Sequence, residues 1–120
     1  MESYRLILPE HLNQYDFLFG GYLLKFVDEV AWIAATLDFP DFNFVTIGVD
    51  RVEFQGIVPK GSILRFQCQQ AKVGRSSVTY YVEVSIANQS QATESVFSTN
   101  VTFVRIDDKG KTMSLRDDNE

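Results

Sequence analysis

The sequence predicts an α+β domain in which a curved antiparallel sheet of five strands wraps around one long central helix. This prediction rests on one long apolar helical run in the first third of the chain and a succession of strand-like segments after it. The 120 residues suffice for a single core, and 45% of them are hydrophobic. We expect one domain over residues 1–106 and a polar C-terminal tail over residues 107–120.

The segment before the helix predicts a short strand followed by a loop. Tyr4–Leu8 is an apolar run that Pro9 ends, which is typical of a strand. His11–Phe19 is more polar and contains Asn13 and Asp16, two residue types that favour turns and helix caps. A loop therefore leads into the helix.

The helix is predicted from Gly20 or Gly21 to about Leu37, where apolar residues recur with helical spacing. One narrow strip of its surface is polar and contains Asp28 and Glu29. The rest of its circumference is apolar, so we expect most of the helix to be buried.

Four strands are predicted after the helix. The segments are Asn43–Gln55, Ser62–Val73, Ser77–Ala87 and Ser95–Ile106. Polar and apolar residues alternate most clearly in the third of them. A single helix covers only one face of such a sheet, and the uncovered edges favour self-association.

Composition and charge exclude several kinds of protein. The net charge is −5 and no basic cluster exceeds two residues, which argues against nucleic-acid binding. One histidine and one cysteine, Cys68, exclude a disulfide within the chain and a Cys/His zinc site, and we expect no other metal site. No signal peptide or membrane span is expected, since charged residues interrupt the apolar helix. We therefore expect a cytoplasmic protein with no membrane partner.

Gly20 and Gly21 stand where the helix begins. The first N–H groups of a helix lack intrahelical acceptors, and together with the helix dipole they can bind an oxyanion. Glycine has no Cβ, which lets a carbonyl approach these groups closely. The alternative is a glycine pair that serves only the turn into the helix and tight packing.

Asp28 lies two helical turns after the glycines. Beside apolar residues such as Leu24 and Ala31 its carboxylate should be partly desolvated, which favours its action as a base. The alternative is a solvated acid paired with Lys25. Asn13 also has two interpretations: its carboxamide can hydrogen-bond a ligand in the site, or it can simply form a turn.

The order of these residues resembles a known family. The string Asn13-(x)6-Gly20-Gly21-(x)6-Asp28-Glu29, followed by a β-meander containing VGRSS (Val73–Ser77), resembles the hotdog-fold acyl-CoA thioesterases. The most similar group is the bacterial short-chain and mammalian cytosolic acyl-CoA hydrolases. The resemblance extends from about Leu8 to Val104 and includes the strand text VTIGVDRVEF.

The resemblance implies hydrolysis of an acyl-CoA thioester to a free acid and CoA. The N–H groups at Gly20 and Gly21 would polarise the carbonyl, and Asp28 would act as general base or nucleophile. Asn13 would orient the water or hold the thioester across a dimer interface. No cofactor is implied, since CoA is part of the substrate, and a homodimer is the expected active unit, with a tetramer or hexamer as larger assemblies.

The resemblance also implies contacts to the CoA phosphates from the connection between two strands. The residues are Lys72, Gly74, Arg75, Ser76 and Ser77. Arg75 and Lys72 would supply charge, and the serines and loop amides would supply hydrogen-bond donors. The alternative is an ordinary tight turn with an exposed arginine.

The sequence departs from the family pattern at Asp16, where a glycine normally follows the asparagine by three residues. This departure leaves a non-catalytic module for acyl-CoA binding or oligomerisation as an alternative. A hydratase or dehydratase of the same fold is less favoured, because the chain lacks the D-x-N-P-x-H segment of those enzymes.

Overall fold

Five strands form one antiparallel sheet, and a single long helix packs against one of its faces. A computed structural model describes residues 1–89 and 94–116. The elements are β1 (Glu2–Leu6), a 3-10 turn (Pro9–His11), α1 (Gly20–Asp38), β2 (Asn43–Phe54), β3 (Ile63–Val73), β4 (Ser77–Ile86) and β5 (Ser95–Ile106). The strand order is β1-β3-β4-β5-β2, and every neighbouring pair is antiparallel. The predicted architecture of five antiparallel strands and one helix is confirmed.

β1 begins and ends two residues earlier than its apolar run. Its pairing with β3 extends from Glu2 opposite Gln67 to Leu6 opposite Ile63. The Glu2 carboxylate also lies 3.0 Å from Nε of Arg65. Pairing with the neighbouring strand, and not apolarity, therefore sets the bounds of this strand.

The core lies between α1 and the inner face of the sheet. The alternation predicted for β4 is confirmed, because every second side chain is buried against the helix. The buried apolar residues of the three central strands are Leu64, Phe66, Cys68, Val78, Tyr80, Val82, Val84, Ile86, Phe97, Val101 and Phe103. α1 meets them with Leu23, Phe26, Val27, Val30, Ala31, Ala34 and Ala35.

α1 is less buried than its composition predicts. Trp32, Ile33 and Leu37 are exposed, with 67% of Leu37 accessible. The expectation of burial around most of the circumference is wrong for the single chain, because the sheet covers only one side of the helix. No helix within residues 1–89 and 94–116 is long and apolar enough to span a membrane.

β2 is an edge strand with an apolar surface. Within the described residues it pairs with β5 on one side only, and of its side chains only Phe44 is buried. Its exposed apolar residues are Val45, Ile47, Val49, Val52 and Phe54. The radius of gyration is 15.8 Å, whereas a compact domain of this length has about 14 Å. An elongated protomer with an open apolar edge is expected to associate.

The segment after β5 turns back onto the domain. Thr112 bridges to Ile106, and the N–H of Leu115 donates to the carbonyl of Arg75 at 2.8 Å. Leu115 is buried. The rest of the predicted tail, residues 117–120, lies outside the described residues, as do residues 90–93 in the predicted loop before β5. The division into a domain and a tail stays a prediction.

Candidate active site

Asn13 shapes the loop before α1. Its backbone N–H donates to the carbonyl of Phe17 at 2.7 Å, and Leu12 and Leu18 form a bridge that closes the loop. Its side-chain Oδ1 accepts the N–H groups of Tyr15 and Phe17 at 2.8 and 3.1 Å. The turn-forming interpretation is therefore observed. With Oδ1 occupied, the amide retains Nδ2 as a donor for a ligand.

Asp16 adopts the left-handed conformation at the position where the family pattern has glycine. Its φ is 65°, and its N–H donates to the carbonyl of Asn13 at 3.1 Å. Aspartate tolerates this conformation better than most residues with a Cβ. The departure from the family pattern therefore keeps the backbone turn that presents Asn13.

His11 holds the loop against the helix. Its Nδ1 accepts the N–H of Leu8 at 3.0 Å, and its carbonyl accepts the N–H of Phe19 at 2.9 Å. Its ring centroid lies 5.1 Å from those of both Tyr22 and Phe26. These contacts give the chain's only histidine a positioning role next to the helix start.

Gly20 and Gly21 form the first turn of α1. Phe19 caps the helix without a side-chain hydrogen bond, and within residues 1–89 and 94–116 neither glycine N–H has an acceptor. A Cβ on Gly20 would meet the Phe54 ring at 3.6 Å, an ordinary contact, whereas one on Gly21 would lie 2.8 Å from the ring of Phe19. Neither glycine has a positive φ. The fold of this chain therefore does not require glycine at position 20.

Asp28 is oriented by Thr46. The Thr46 hydroxyl donates to Oδ1 of Asp28 at 2.6 Å, which leaves Oδ2 open. No ion pair joins Asp28 to Lys25 in the described part of the chain. The sequence interpretation missed Thr46, although the residue stands in the strand text that carried the resemblance. In the described ranges, no cluster of three His, Cys, Asp or Glu side chains could hold a metal ion.

Glu29 contacts a basic strand residue. Its carboxylate lies 3.7 Å from a guanidinium nitrogen of Arg5, and the Arg5 guanidinium carbon lies 5.1 Å from the centroid of Phe26. Glu29 thus links the helix to β1. In the described residues each of the two adjacent acids keeps one oxygen without a protein partner, but Asp28 accepts a hydrogen bond from a strand hydroxyl, whereas Glu29 forms an ion pair.

One protomer does not bring Asp28 to the helix start. α1 runs antiparallel to β2, with Gly20 beside Phe54 and Asp28 beside Thr46. Eight residues of helix separate Gly20 from Asp28, which corresponds to about 12 Å. A base must lie within hydrogen-bond reach of the water that attacks the carbonyl. The two halves of the candidate site are therefore too far apart to act on one thioester.

The predicted CoA-binding residues lie at the turn between β3 and β4, near the C-terminal end of α1. Gly74 and Arg75 line a cavity of about 690 Å³ together with Phe39 and Arg116. The N–H of Gly74 donates to the carbonyl of Ser77 at 2.7 Å, and a Cβ on Gly74 would lie 2.7 Å from Ser77 Oγ. A side chain at position 74 would therefore require the Ser77 hydroxyl to rotate away.

The other predicted CoA-binding residues do not line this cavity. Lys72 pairs with Thr79 in the ladder between β3 and β4. Ser76 offers its carbonyl to the N–H of Arg105 at 2.9 Å. Of the predicted CoA-binding residues, Arg75 is therefore the one that brings positive charge to the cavity.

Comparison with known proteins identifies the relatives of this chain. The Thioesterase superfamily matches residues 15–93. The Cytosolic acyl coenzyme A thioester hydrolase of Mus musculus is 28% identical over 113 residues, which are 92% of this chain and 29% of that protein. This chain therefore spans less than a third of the mouse relative's length.

Solved structures share the fold over nearly the whole chain. A hexameric hotdog fold thioesterase of Campylobacter jejuni is 29% identical, with a TM-score of 0.84 over 95% of this chain and 88% of that one. The acyl-CoA hydrolase of Staphylococcus aureus, solved with butyryl coenzyme A, coenzyme A and coenzyme A disulfide, is 28% identical. Its TM-score is 0.85 over 95% of this chain and 70% of that one. The predicted hotdog fold is confirmed.

Alanine variants of the Staphylococcus aureus enzyme have also been solved. They replace an asparagine, an aspartate and a threonine. These are the three side-chain types found at Asn13, Asp28 and Thr46.

Proposed function

Because the chain belongs to the Thioesterase superfamily, we propose that it is an acyl-CoA thioesterase, which hydrolyses an acyl-CoA to a free acid and CoA. One observation carries this proposal: the Asp28 carboxylate is held through one oxygen by Thr46 and keeps the other oxygen open. A carboxylate oriented in this way suits the activation of water. The N–H groups of Gly20 and Gly21 supply the complementary site for an oxyanion.

The relatives support the same reaction. The mouse relative is named as an acyl coenzyme A thioester hydrolase, and the Staphylococcus aureus hydrolase was solved with butyryl coenzyme A. In that enzyme the substituted asparagine and aspartate are 15 positions apart, the separation of Asn13 and Asp28 here. The substituted threonine follows the aspartate by 17 positions, compared with 18 for Thr46 after Asp28.

In the proposed mechanism, Oδ2 of Asp28 accepts a proton from water as the water oxygen attacks the thioester carbonyl. The negative charge that forms on the carbonyl oxygen is bound by the N–H groups of Gly20 and Gly21. The C–S bond then breaks, and the proton held by Asp28 passes to the departing CoA sulfur. The products are a carboxylic acid and the CoA thiol.

Asn13 acts as a hydrogen-bond donor in this proposal. Its Oδ1 already accepts hydrogen bonds from two backbone N–H groups, so it is not available to accept one from the attacking water. Nδ2 remains to donate to the attacking water or to the thioester oxygen. The loop that holds Asn13 also leads directly into the first turn of α1.

We propose a homodimer as the smallest active unit. Gly20 and Asp28 are about 12 Å apart on one helix, so a single thioester requires the partner subunit's Asp28. A two-fold axis beside the middle of α1 would place two antiparallel copies of this helix together, each with its acid near the other's first turn. The exposed edge of β2 and the exposed Trp32, whose Nε1 donates to the carbonyl of Phe44 in β2 at 3.3 Å, supply an apolar surface for this contact.

The remaining features of the proposal follow from the same comparisons. The Campylobacter jejuni neighbour is hexameric, which supports the further assembly of dimers into a hexamer. The mouse relative is named as cytosolic, which supports a cytoplasmic location. The proposed reaction uses water and side chains and needs no cofactor.

The alternative of a non-catalytic module loses its main basis, because Asp16 keeps the turn that glycine would form.

A thiol-release assay with acyl-CoA substrates of increasing chain length tests the proposal. Cys68 is buried and burial raises its pKa to about 11, so a thiol reagent should report the released CoA with little background from the protein. We expect Asp28→Asn to lower kcat by roughly 100-fold or more. Glu29→Gln is the matched control, since it removes the adjacent carboxylate that contacts Arg5, and should retain most activity. Full hydrolysis of every accepted substrate by Asp28→Asn would overturn the mechanism.

A further inference from the structure

The segment Met113–Arg116 is fastened to β5 and to the turn between β3 and β4. The N–H of Met113 donates to the carbonyl of Arg105 at 2.8 Å, and the N–H of Leu115 donates to the carbonyl of Arg75 at 2.8 Å. The Ser114 hydroxyl accepts the N–H of Arg116 at 3.1 Å. The bonds from Met113 and Leu115 hold this segment to the domain as one wall of the cavity that contains Arg75.

Arg105 holds this wall in place and does not line the cavity. Its Nη1 donates to the carbonyl of Ser114 at 2.7 Å, and its guanidinium carbon lies 3.5 Å from the centroid of the Phe42 ring. Arg105 is absent from the lining of the cavity. Its charge and stacking therefore hold the C-terminal segment in place.

Arg75 and Arg116 are the charged residues that line the cavity, and the remaining lining residues are uncharged. In residues 1–89 and 94–116, neither arginine forms an ion pair with a carboxylate. This local positive charge occurs in a protein whose net charge is −5. Two guanidinium groups beside an uncharged wall match a ligand that carries several phosphate groups.

We propose that Arg116 is a second phosphate-binding residue, and that Met113–Arg116 completes the subsite for the phosphorylated nucleotide part of CoA. The proposal rests on the proposed function for the identity of the ligand. The cavity volume of about 690 Å³ lies within the range of roughly 300–1,000 Å³ that is typical of ligand sites. Arg75 and Arg116 would share the charge of the phosphates, and the segment's hydrogen bonds would keep the backbone of Arg116 beside the cavity before CoA binds.

Calorimetric titration of the full chain with CoA tests the proposal without turnover. We expect Arg116→Gln to weaken CoA binding by roughly tenfold. Arg116→Lys should retain part of the affinity, and the loss in Arg116→Gln should shrink as salt is raised. Lys111→Gln is the matched control: it removes one positive charge just before this segment, at a position outside the cavity lining, and should leave CoA binding within about twofold of the wild type.

A second readout uses acyl-pantetheine, a thioester without the nucleotide phosphates. Arg116→Gln should lower kcat/KM for acyl-CoA and leave kcat/KM for acyl-pantetheine unchanged. Equal CoA affinity in the wild type and Arg116→Gln, or equal losses in Arg116→Gln and Lys111→Gln, would overturn the inference. CoA binding that depends on Arg116 without any thiol release would instead contradict the proposed hydrolysis and leave the phosphate subsite intact.

Discussion

The hydrogen bond from Thr46 to Asp28 combines two residues that are distant in the sequence. Its 2.6 Å length and the open Oδ2 define which face of the carboxylate can meet water. Asp28 was predicted from its helical position together with the family resemblance. Thr46 was not predicted, because strand alternation does not tell which helix residue a strand side chain meets. Asn13 was predicted as a ligand or as a turn former, and only the structure showed that Oδ1 serves the turn.

Removing the Thr46 hydroxyl should impair catalysis through Asp28. We expect Thr46→Val, which keeps the shape, to lower kcat by roughly tenfold with little change in KM, because Asp28 loses the donor that orients it. Thr46→Ser should restore most of the rate. Steady-state kinetics on one acyl-CoA measures both. If the valine and serine variants show the same kcat, Thr46 does not act through its hydroxyl.

Substitution of Gly20 should change stability and activity in opposite directions. Gly20→Ala should stabilise the fold by about 0.5–1 kcal/mol, because the backbone does not need glycine and a Cβ makes only an ordinary contact with Phe54. Its kcat should fall by roughly tenfold, because the added methyl group hinders access of the thioester to the N–H groups. Urea denaturation checks the predicted gain in stability, and steady-state kinetics on the same sample checks the predicted fall in kcat.

Thr36→Ala is the matched control for Gly20→Ala. It removes a buried hydroxyl that has no hydrogen-bond partner in the described part of the chain, and it raises the helix propensity of α1. It should stabilise the fold without changing kcat. A Gly20→Ala variant with full activity would mean that clearance at this position is not needed for the reaction.

At the scale of elements, local patterns predicted most bounds. α1, β2, β4 and β5 were predicted to within one or two residues. In α1, β4 and β5 the periodicity arises from one continuous contact with the core, whereas β2 was recognised as a β-branched run between two turns. The predicted bounds of β1 lie two residues after the observed ones, since this strand depends on a pairing partner about 60 residues away. The strand order was not predictable for the same reason. Nor was the docking of Leu115, a single apolar residue in a polar segment.

The inner faces of β3 and β4 contain two groups whose ionisation should limit stability at high pH. Burial raises the pKa of the Cys68 thiol from 9.0 to about 11. Burial, followed by the hydrogen bond to Asp38, also raises the pKa of Tyr80. The unfolded chain therefore loses these protons at lower pH than the folded one. For Cys68, its contribution is complete below about pH 9 and is lost as the pH rises from about 9 to about 11.

Urea denaturation at a series of pH values checks this expectation. The free energy of unfolding should decline above about pH 9, and Cys68→Ala should show a shallower decline over the same range, whatever its stability at neutral pH. Identical slopes in the two proteins would mean that Cys68 does not contribute to the alkaline transition.

At the scale of the whole molecule, self-association was predicted from the uncovered face and edges of the sheet, but the sequence did not indicate which edge strand is apolar. The structure adds the exposed apolar edge of β2 and the exposed side of α1. It also separates Gly20 from Asp28 along one helix, so the proposed site requires two chains. The residues can be identified in the sequence, but the distances between them come only from the structure.

Two inactive variants should restore each other's activity when mixed. Asn13→Ala and Asp28→Ala each disable every site in their own dimers. After exchange of subunits under mild denaturant and refolding, about a quarter of the wild-type activity per chain should return, because half of the dimers are mixed and each mixed dimer has one intact site. Mixing without exchange is the control. No recovery after exchange, confirmed by differently tagged chains, would place both residues in one protomer's site.

If the proposed dimer forms through the open edge of β2, the rate of the enzyme depends on the concentration of the protein. Where catalysis requires two chains, specific activity falls once the protein is diluted below the dissociation constant of the dimer. The fall would follow with a lag set by the rate at which subunits separate, and substrate that bridges both chains would slow it. The protein concentration would then set both the number of active sites and, near the dissociation constant of the dimer, the activity of each chain.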